Sequence, residues 1–161
     1  MKMSSSARIV FTVGLLGLGV ALPRAETRTS DAMNAKEKAN LQHVRSWWLE
    51  CLEGRNLDAT AKYQADSYIQ HNPNVPTGRA AFVEYFSSRR KPEPIQAGWK
   101  NKPTLMFASG PYVFVLVKQA AKDPNDPSQT YPAYWFDMVR VDNGMIQEHW
   151  DAATKTPPAP R

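Results

Sequence analysis

Apolar residues return every three or four positions between Ala35 and Glu53, with Leu41, Val44, Trp48, Cys51 and Leu52 aligned along one stripe. That spacing predicts an amphipathic helix with one buried face, and Gly54 stops it. Asn56-Leu57-Asp58 can cap a short second helix that ends near Gln64, followed by a strand from Ser67 to Gln70. A corner from Pro73 to Gly78 leads into a third helix, Ala80 to Arg90, which carries Phe82, Tyr85 and Phe86 on its apolar side. Lys91-Pro92-Glu93-Pro94 closes that helix, because a residue before proline is pushed out of helical conformation.

Beyond this point the period falls from 3.6 to 2. Pro103 to Ala108 and Tyr112 to Gln119 read as strands joined by a Ser109-Gly110 turn. A polar loop, Asp123 to Ser128, leads to a long strand from Thr130 to Val141, and Asn143-Gly144 is a two-residue hairpin turn into Met145 to Asp151. Three helices, one strand after the second, and then an antiparallel meander predict an α+β domain over residues 35–154. The helices should cover one face of a curved antiparallel sheet and leave a cone-shaped hollow between the two layers.

Composition supports a packed core: 42% of the 161 residues are hydrophobic and 11% aromatic, which excludes a disordered chain. Lys2 and Arg8 precede an apolar run from Ile9 to Leu22, the plan of a secretory signal peptide over residues 1–25, with cleavage after Ala21 or Ala25. The expected location is therefore periplasmic or secreted, with no membrane association after cleavage. Residues 26–34 read as a flexible leader and residues 155–161 as a disordered, Pro-rich tail. Cleavage after Ala21 removes Lys2 and Arg8, two of the five formal positive charges, and the remaining cations are scattered. The densest group, Arg89-Arg90-Lys91, sits at a helix end where cations complement the helix dipole, so no nucleic-acid partner is expected. Cys51 has no partner in the chain, and the fold must stand without an internal disulfide.

Two stretches carry a family resemblance. Tyr68-Ile69-Gln70-His71-Asn72-Pro73 with Gly78-Arg79-Ala80-Ala81-Phe82 is one, and the run from Phe136-Asp137-Met138-Val139 through Gly144 to His149-Trp150-Asp151 is the other. Over about residues 38–152 the chain resembles the SnoaL-like polyketide cyclases of the nuclear transport factor 2-like superfamily. The resemblance implies a cystatin-like α+β roll, and a homodimer formed through the outer sheet face. It does not fix the reaction, because this fold hosts isomerases, dehydratases, hydrolases and binding modules. Against ketosteroid isomerase, a distant relative, the resemblance puts Asn72 at the base position, Trp48 near the phenol position and Asp137 at the acid-donor position. An amide cannot take up a proton at neutral pH, so steroid isomerisation of that type is not expected.

Alternation along the long strand places Tyr131, Ala133, Trp135, Asp137 and Val139 on one face. An acid among aromatics is either an acid/base group or half of an ion pair with Lys118 or Arg79. A simple hairpin register sets Val141 opposite Ile146, Val139 opposite Glu148 and Asp137 opposite Trp150, which puts Trp150 in the hollow and His149 outside it. A slip of one residue reverses that assignment. His71 is either the replacement base or a turn residue, and Lys118 is either a carbonyl-polarising group or an edge-strand charge. His43, His71 and His149 show no ligand spacing on one element, so neither a metal nor another cofactor is expected.

The resulting expectation is a cofactor-independent acid/base enzyme of lyase, cyclase, dehydratase or isomerase type. Its substrate would be a small hydrophobic, oxygenated molecule of aromatic or polycyclic type. Asp137 and His71 would be catalytic, with Asn72, Tyr68, Trp48, Trp135, Trp150, Lys118 and His149 around the substrate. The alternatives are a binding protein using the same hollow for a hydrophobic ligand, and a dimeric structural module.

Overall fold

The computed structural model describes residues 33–89, 91–94 and 99–156. The expected signal peptide, most of the leader and the last five residues of the tail lie outside them.

Helix α1 spans Ala35–Trp47 and continues as a π-helical turn over Trp48–Glu53. Its start is fixed twice over. Asn34 and Glu37 form a reciprocal capping box, and the second oxygen of the Glu37 carboxylate accepts the Gly110 N–H at 2.8 Å. Asn40 donates to the Gly110 carbonyl at 3.2 Å. The N-terminal end of α1 is thereby tied to a sheet hairpin seventy residues further along the chain. A 3₁₀ segment, Leu57–Lys62, follows, then strand β1 (Gln64–Gln70) and helix α2 (Arg79–Ser87). The remaining strands are β2 (Leu105–Ser109), β3 (Tyr112–Lys122), β4 (Thr130–Asp142) and β5 (Met145–Asp151).

The sheet runs β1-β5-β4-β3-β2. Its β2 to β5 portion is the expected antiparallel meander, whereas β1 joins the edge of β5 in parallel, at the opposite side of the sheet from β2. The core lies between the helices and the inner sheet face. Val44, Trp47 and Cys51 from α1 and its π-helical extension, and Phe82 from α2, pack with Tyr68, Val113, Val139, Val141 and Ile146. The helix stripe contains Trp47, which the sequence pattern passed over in favour of Trp48. Trp47 is the buried indole, and Trp48 only packs against the core from its margin.

The β4–β5 hairpin decides which side chains enter the hollow. Asn143 and Gly144 both take positive φ, 49° and 72°, as a two-residue turn with the twist of the flanking strands requires. Val141 pairs with Ile146 as expected, but the next pairs are Arg140 with Glu148, Val139 with His149 and Asp137 with Asp151. One extra residue, Gln147, sits on β5 as a β-bulge. The register assumed for the simple hairpin is therefore corrected by one residue. His149 and Asp151 share the inner face with Asp137, and Trp150 turns outward.

Candidate active site

A cavity of about 980 Å³ opens between the helices and the inner sheet face. Trp47, Trp48, Phe82, Tyr85 and Phe86 come to it from the helices. Tyr68, Gln70 and Asn72 reach it from alternate positions of β1 and the corner beyond, Trp135 and Asp137 from β4, and His149 and Asp151 from β5. This combination of aromatic walls and a few convergent polar groups is the usual make-up of a small-molecule site.

The polar groups form one connected chain. The His149 ring contacts Gln70 Oε1 through Nδ1 at 2.8 Å and Asp137 Oδ1 through Nε2 at 2.9 Å, and all three residues are buried. Gln70 Oε1 also accepts the backbone N–H of Asn72 at 3.0 Å, and Gln70 Nε2 donates to the Tyr68 hydroxyl at 3.0 Å. The Asn72 N–H can only donate, so the Gln70 atom facing it must be the carbonyl oxygen. The nitrogen that meets that same oxygen, His149 Nδ1, must then carry a hydrogen. At the far side of the ring Nε2 and Asp137 Oδ1 face each other as two lone pairs, and a bond between them requires one proton. The contact thus holds one proton between the ring and the carboxylate.

Two further features bear on chemistry. Asp151 lies beside the pair, with one carboxylate oxygen accepting from Asn72 Nδ2 at 2.6 Å and the other from the Ala153 N–H at 2.9 Å. Donor atoms of Asp137, His149 and Asp151 all lie within 4.8 Å of one another. Tyr68 is fully buried, and its phenol is held far above its ordinary range by loss of solvent, with the Asp151 and Asp137 carboxylates adding to the effect. Its oxygen already accepts from Gln70, and its own hydrogen finds no acceptor among the described residues. A phenol that stays protonated and has an unspent donor is suited to hydrogen-bonding an oxygen of a bound molecule.

The expected site residues divide between the two sheet faces. Asp137, Asn72, Tyr68, Trp48, Trp135 and His149 line the cavity, and Lys118 lies exposed at its rim. His71 and Trp150 do not reach it. The His71 ring stacks on Trp150 with centroids 4.6 Å apart and planes 5° from parallel, and its Nε2 meets Glu148 Oε2 at 3.1 Å. Glu148 also binds Arg140 at 2.7 Å, and its carboxyl is held below the usual range first by His71 and then by Arg140. His71 is removed from the cavity by strand parity, since Gln70 and Asn72 turn inward around it. Trp150 is removed by the bulge at Gln147. The anticipated ion pair of Asp137 with Lys118 or Arg79 does not form either. Arg79 binds Asp66 and the Gln64 carbonyl, and the partner of Asp137 is His149.

Gln70, Asp151 and Trp47 belong to the site without having been anticipated there. Gln70 could have been found from its shared parity with Tyr68 and Asn72. Asp151 and His149 depend on the bulge, which leaves no trace in the hydrophobic pattern.

A curved, mostly antiparallel sheet closed by helices around a hollow of this kind defines the nuclear transport factor 2-like class of α+β roll. The model of the SnoaL-like domain matches residues 44–149, and the chain belongs to that family. No curated protein matches the sequence. Among solved structures, an epoxide hydrolase of the LEH-like type from Mycobacterium tuberculosis superposes with a TM-score of 0.52 at 15% identity, covering 72% of this chain and 83% of the other. A Kribbella flavida protein provisionally named a ketosteroid isomerase gives a TM-score of 0.52 at 20% identity, covering 77% and 86%. A nuclear transport factor 2-like protein of unknown function from Mesorhizobium loti gives 0.52 at 15% identity, covering 76% and 97%. At these identities the likeness is one of fold.

Proposed function

We propose that the protein is an acid/base enzyme of lyase, cyclase, dehydratase or isomerase type, working without a cofactor on a hydrophobic, oxygenated molecule of aromatic or polycyclic class held in the cavity. The observation that carries this reading is the 2.9 Å contact between His149 Nε2 and Asp137 Oδ1, set beside a second carboxylate and an unspent phenol donor. Asp151 takes a proton from carbon next to a carbonyl, and the electron pair moves onto the carbonyl oxygen, where the Tyr68 O–H donates to it. The His149–Asp137 pair returns a proton to the carbon or to a departing hydroxyl. Asn72 holds Asp151 in place, so the amide at the corner positions a base instead of being one. Trp47, Trp48 and Trp135 form walls against which a planar apolar substrate packs.

The test is turnover of oxygenated aromatics and β-hydroxy ketones by the purified mature protein in the presence of a chelator, beside Asp137→Asn and Asp151→Asn. Each variant is expected to lose roughly 10²–10⁴-fold in kcat, the usual contribution of a positioned acid or base. Binding of these compounds with no turnover, unchanged in both variants, would overturn the reading in favour of a ligand-binding protein. The expected location, periplasmic or secreted, is part of the same proposal and rests on the pattern of residues 1–25.

A further inference from the structure

The groups that share the proton also meet the requirements of a metal ligand set. A histidine that binds a metal through one ring nitrogen nearly always donates its other N–H to a carbonyl or carboxylate, which fixes its tautomer and orientation. His149 does this, with Nδ1 on Gln70 Oε1 and Nε2 aimed at Asp137. The Asp137 side chain is nine-tenths buried, yet its second carboxylate oxygen has no partner among the described residues and belongs to the cavity wall. Asp151 supplies a third donor, itself held by Asn72 and the Ala153 N–H. The three come from β4 and β5, two on one strand and one on its neighbour, which is why ligand spacing along a single element did not show them.

We infer that Asp137, His149 and Asp151 form a three-ligand site for a first-row divalent cation of the zinc type, open to the cavity at its remaining position. The cation takes the place of the proton between His149 Nε2 and Asp137 Oδ1, and that proton leaves to solvent. Charge favours the exchange. Two carboxylates and one proton carry one net negative charge, and a divalent ion in the proton's place brings the cluster to neutrality. Ligands at Zn–N and Zn–O distances of ~2.0–2.2 Å lie roughly 3.3 Å apart in a tetrahedral site. With all donor atoms already within 4.8 Å, side-chain rotations of roughly 1–2 Å close the set. One imidazole with two carboxylates suits zinc, whereas magnesium prefers all-oxygen octahedral surroundings and gives up its water reluctantly. This inference uses the residues of the acid/base proposal but not turnover. In it the metal-bound and proton-bound forms exclude each other.

The experiment is calorimetric titration of ZnCl₂ into chelator-treated, folded protein, with Co²⁺ as an optical probe. Expected are one saturable site, visible Co²⁺ absorption of a low-coordinate complex, and no competition from excess Mg²⁺. Asp151→Asn, at the half-exposed strand end, and Gln70→Leu, which removes the acceptor of Nδ1–H, should each weaken Zn²⁺ binding by ~10–100-fold while circular dichroism confirms folding. His71→Gln, on the outer face, should bind as the unmodified protein does. Absence of saturable Zn²⁺ binding, or binding untouched by Asp151→Asn, would overturn the assignment. Because no substrate is present, either result leaves the acid/base proposal to its own test.

Discussion

Gln70 gives the sharpest test of the proton argument, because one amide satisfies three groups at once. Its Oε1 accepts from His149 Nδ1 and the Asn72 N–H, and its Nε2 donates to Tyr68. Gln70→Leu keeps the approximate volume and so leaves little cavity term. The His149 N–H is then buried with no acceptor, at a cost of ~1–3 kcal/mol. The Asn72 N–H sits at a half-exposed corner where water can replace the lost bond, so its share is nearer ~1 kcal/mol. The sum is roughly 2–4 kcal/mol, read as the shift in urea midpoint at constant slope. The decisive comparison is a double-mutant cycle with His149→Phe, which removes the orphaned donor. Gln70→Leu should then cost ~1–2 kcal/mol less than it does alone. If the single variant loses under ~0.5 kcal/mol, in the range of an ordinary surface change, Gln70 does not hold the His149 tautomer. The proton between His149 and Asp137 would then no longer be required.

Three other outcomes follow from separate parts of the molecule. Cys51 is buried and its thiol is pushed up to about 12 by desolvation, so alkylation at pH 8 should be negligible in the native protein and rapid in denaturant; fast native labelling would show that the π-helical turn opens locally. Glu50 is held below the usual carboxylate range by hydrogen bonds from Tyr63 first and then Lys62, so its stabilising contribution is present above the ordinary carboxylate pKa and is lost as pH falls through the lowered one. Glu50→Gln should therefore flatten the acid limb of stability against pH, measured by urea unfolding between pH 6 and pH 3, and an unchanged slope would contradict the assignment. We propose the outer sheet face as a homodimer surface, since Tyr112, Tyr134 and Phe136 are all at least 42% exposed there; light scattering should report a dimer that Phe136→Glu converts to monomer, and a monomeric parent protein would refute it.

The elements were legible because each is written in a strong local period. The stripe through Val44 and Cys51, the alternation through Trp135, Asp137 and Val139, and the Asn143-Gly144 turn all lead to the observed order of helices and strands. The parallel placement of β1 was not legible, since no residue in Gln64–Gln70 states which neighbour its backbone will meet. Parity along β4 put Asp137 and Trp135 on the face that lines the cavity, where the structure has them, because β4 pairs without interruption with β3 from Lys122 opposite Thr130 to Tyr112 opposite Arg140. On β5 the same reasoning failed for a definite cause. Bulge formation at Gln147 depends on how the strand twists against the rest of the sheet, and a side-chain period of two turns one extra residue into a complete exchange of faces.

That exchange also explains how two groups of histidine and aromatic residues can lie side by side in sequence and serve opposite faces. Beyond the bulge β5 alternates without further fault, so Glu148 and Trp150 face outward and His149 and Asp151 inward. The corner of β1 alternates in step with it, with His71 outward between Gln70 and Asn72. His71 therefore stacks on Trp150 and pairs with Glu148, while Gln70 and Asn72 reach His149 and Asp151 across the same strand boundary. In the inner set Gln70 and His149 are buried, and Asn72 and Asp151 are half-buried at its margin. In the outer set His71 is exposed, and Glu148, half-buried, is joined to Arg140. In the reaction we propose, moving the base from the corner to Asp151 thus needs no new element. It requires a bulge that turns the end of β5 inward and an amide at position 72 that can donate to the carboxylate brought there.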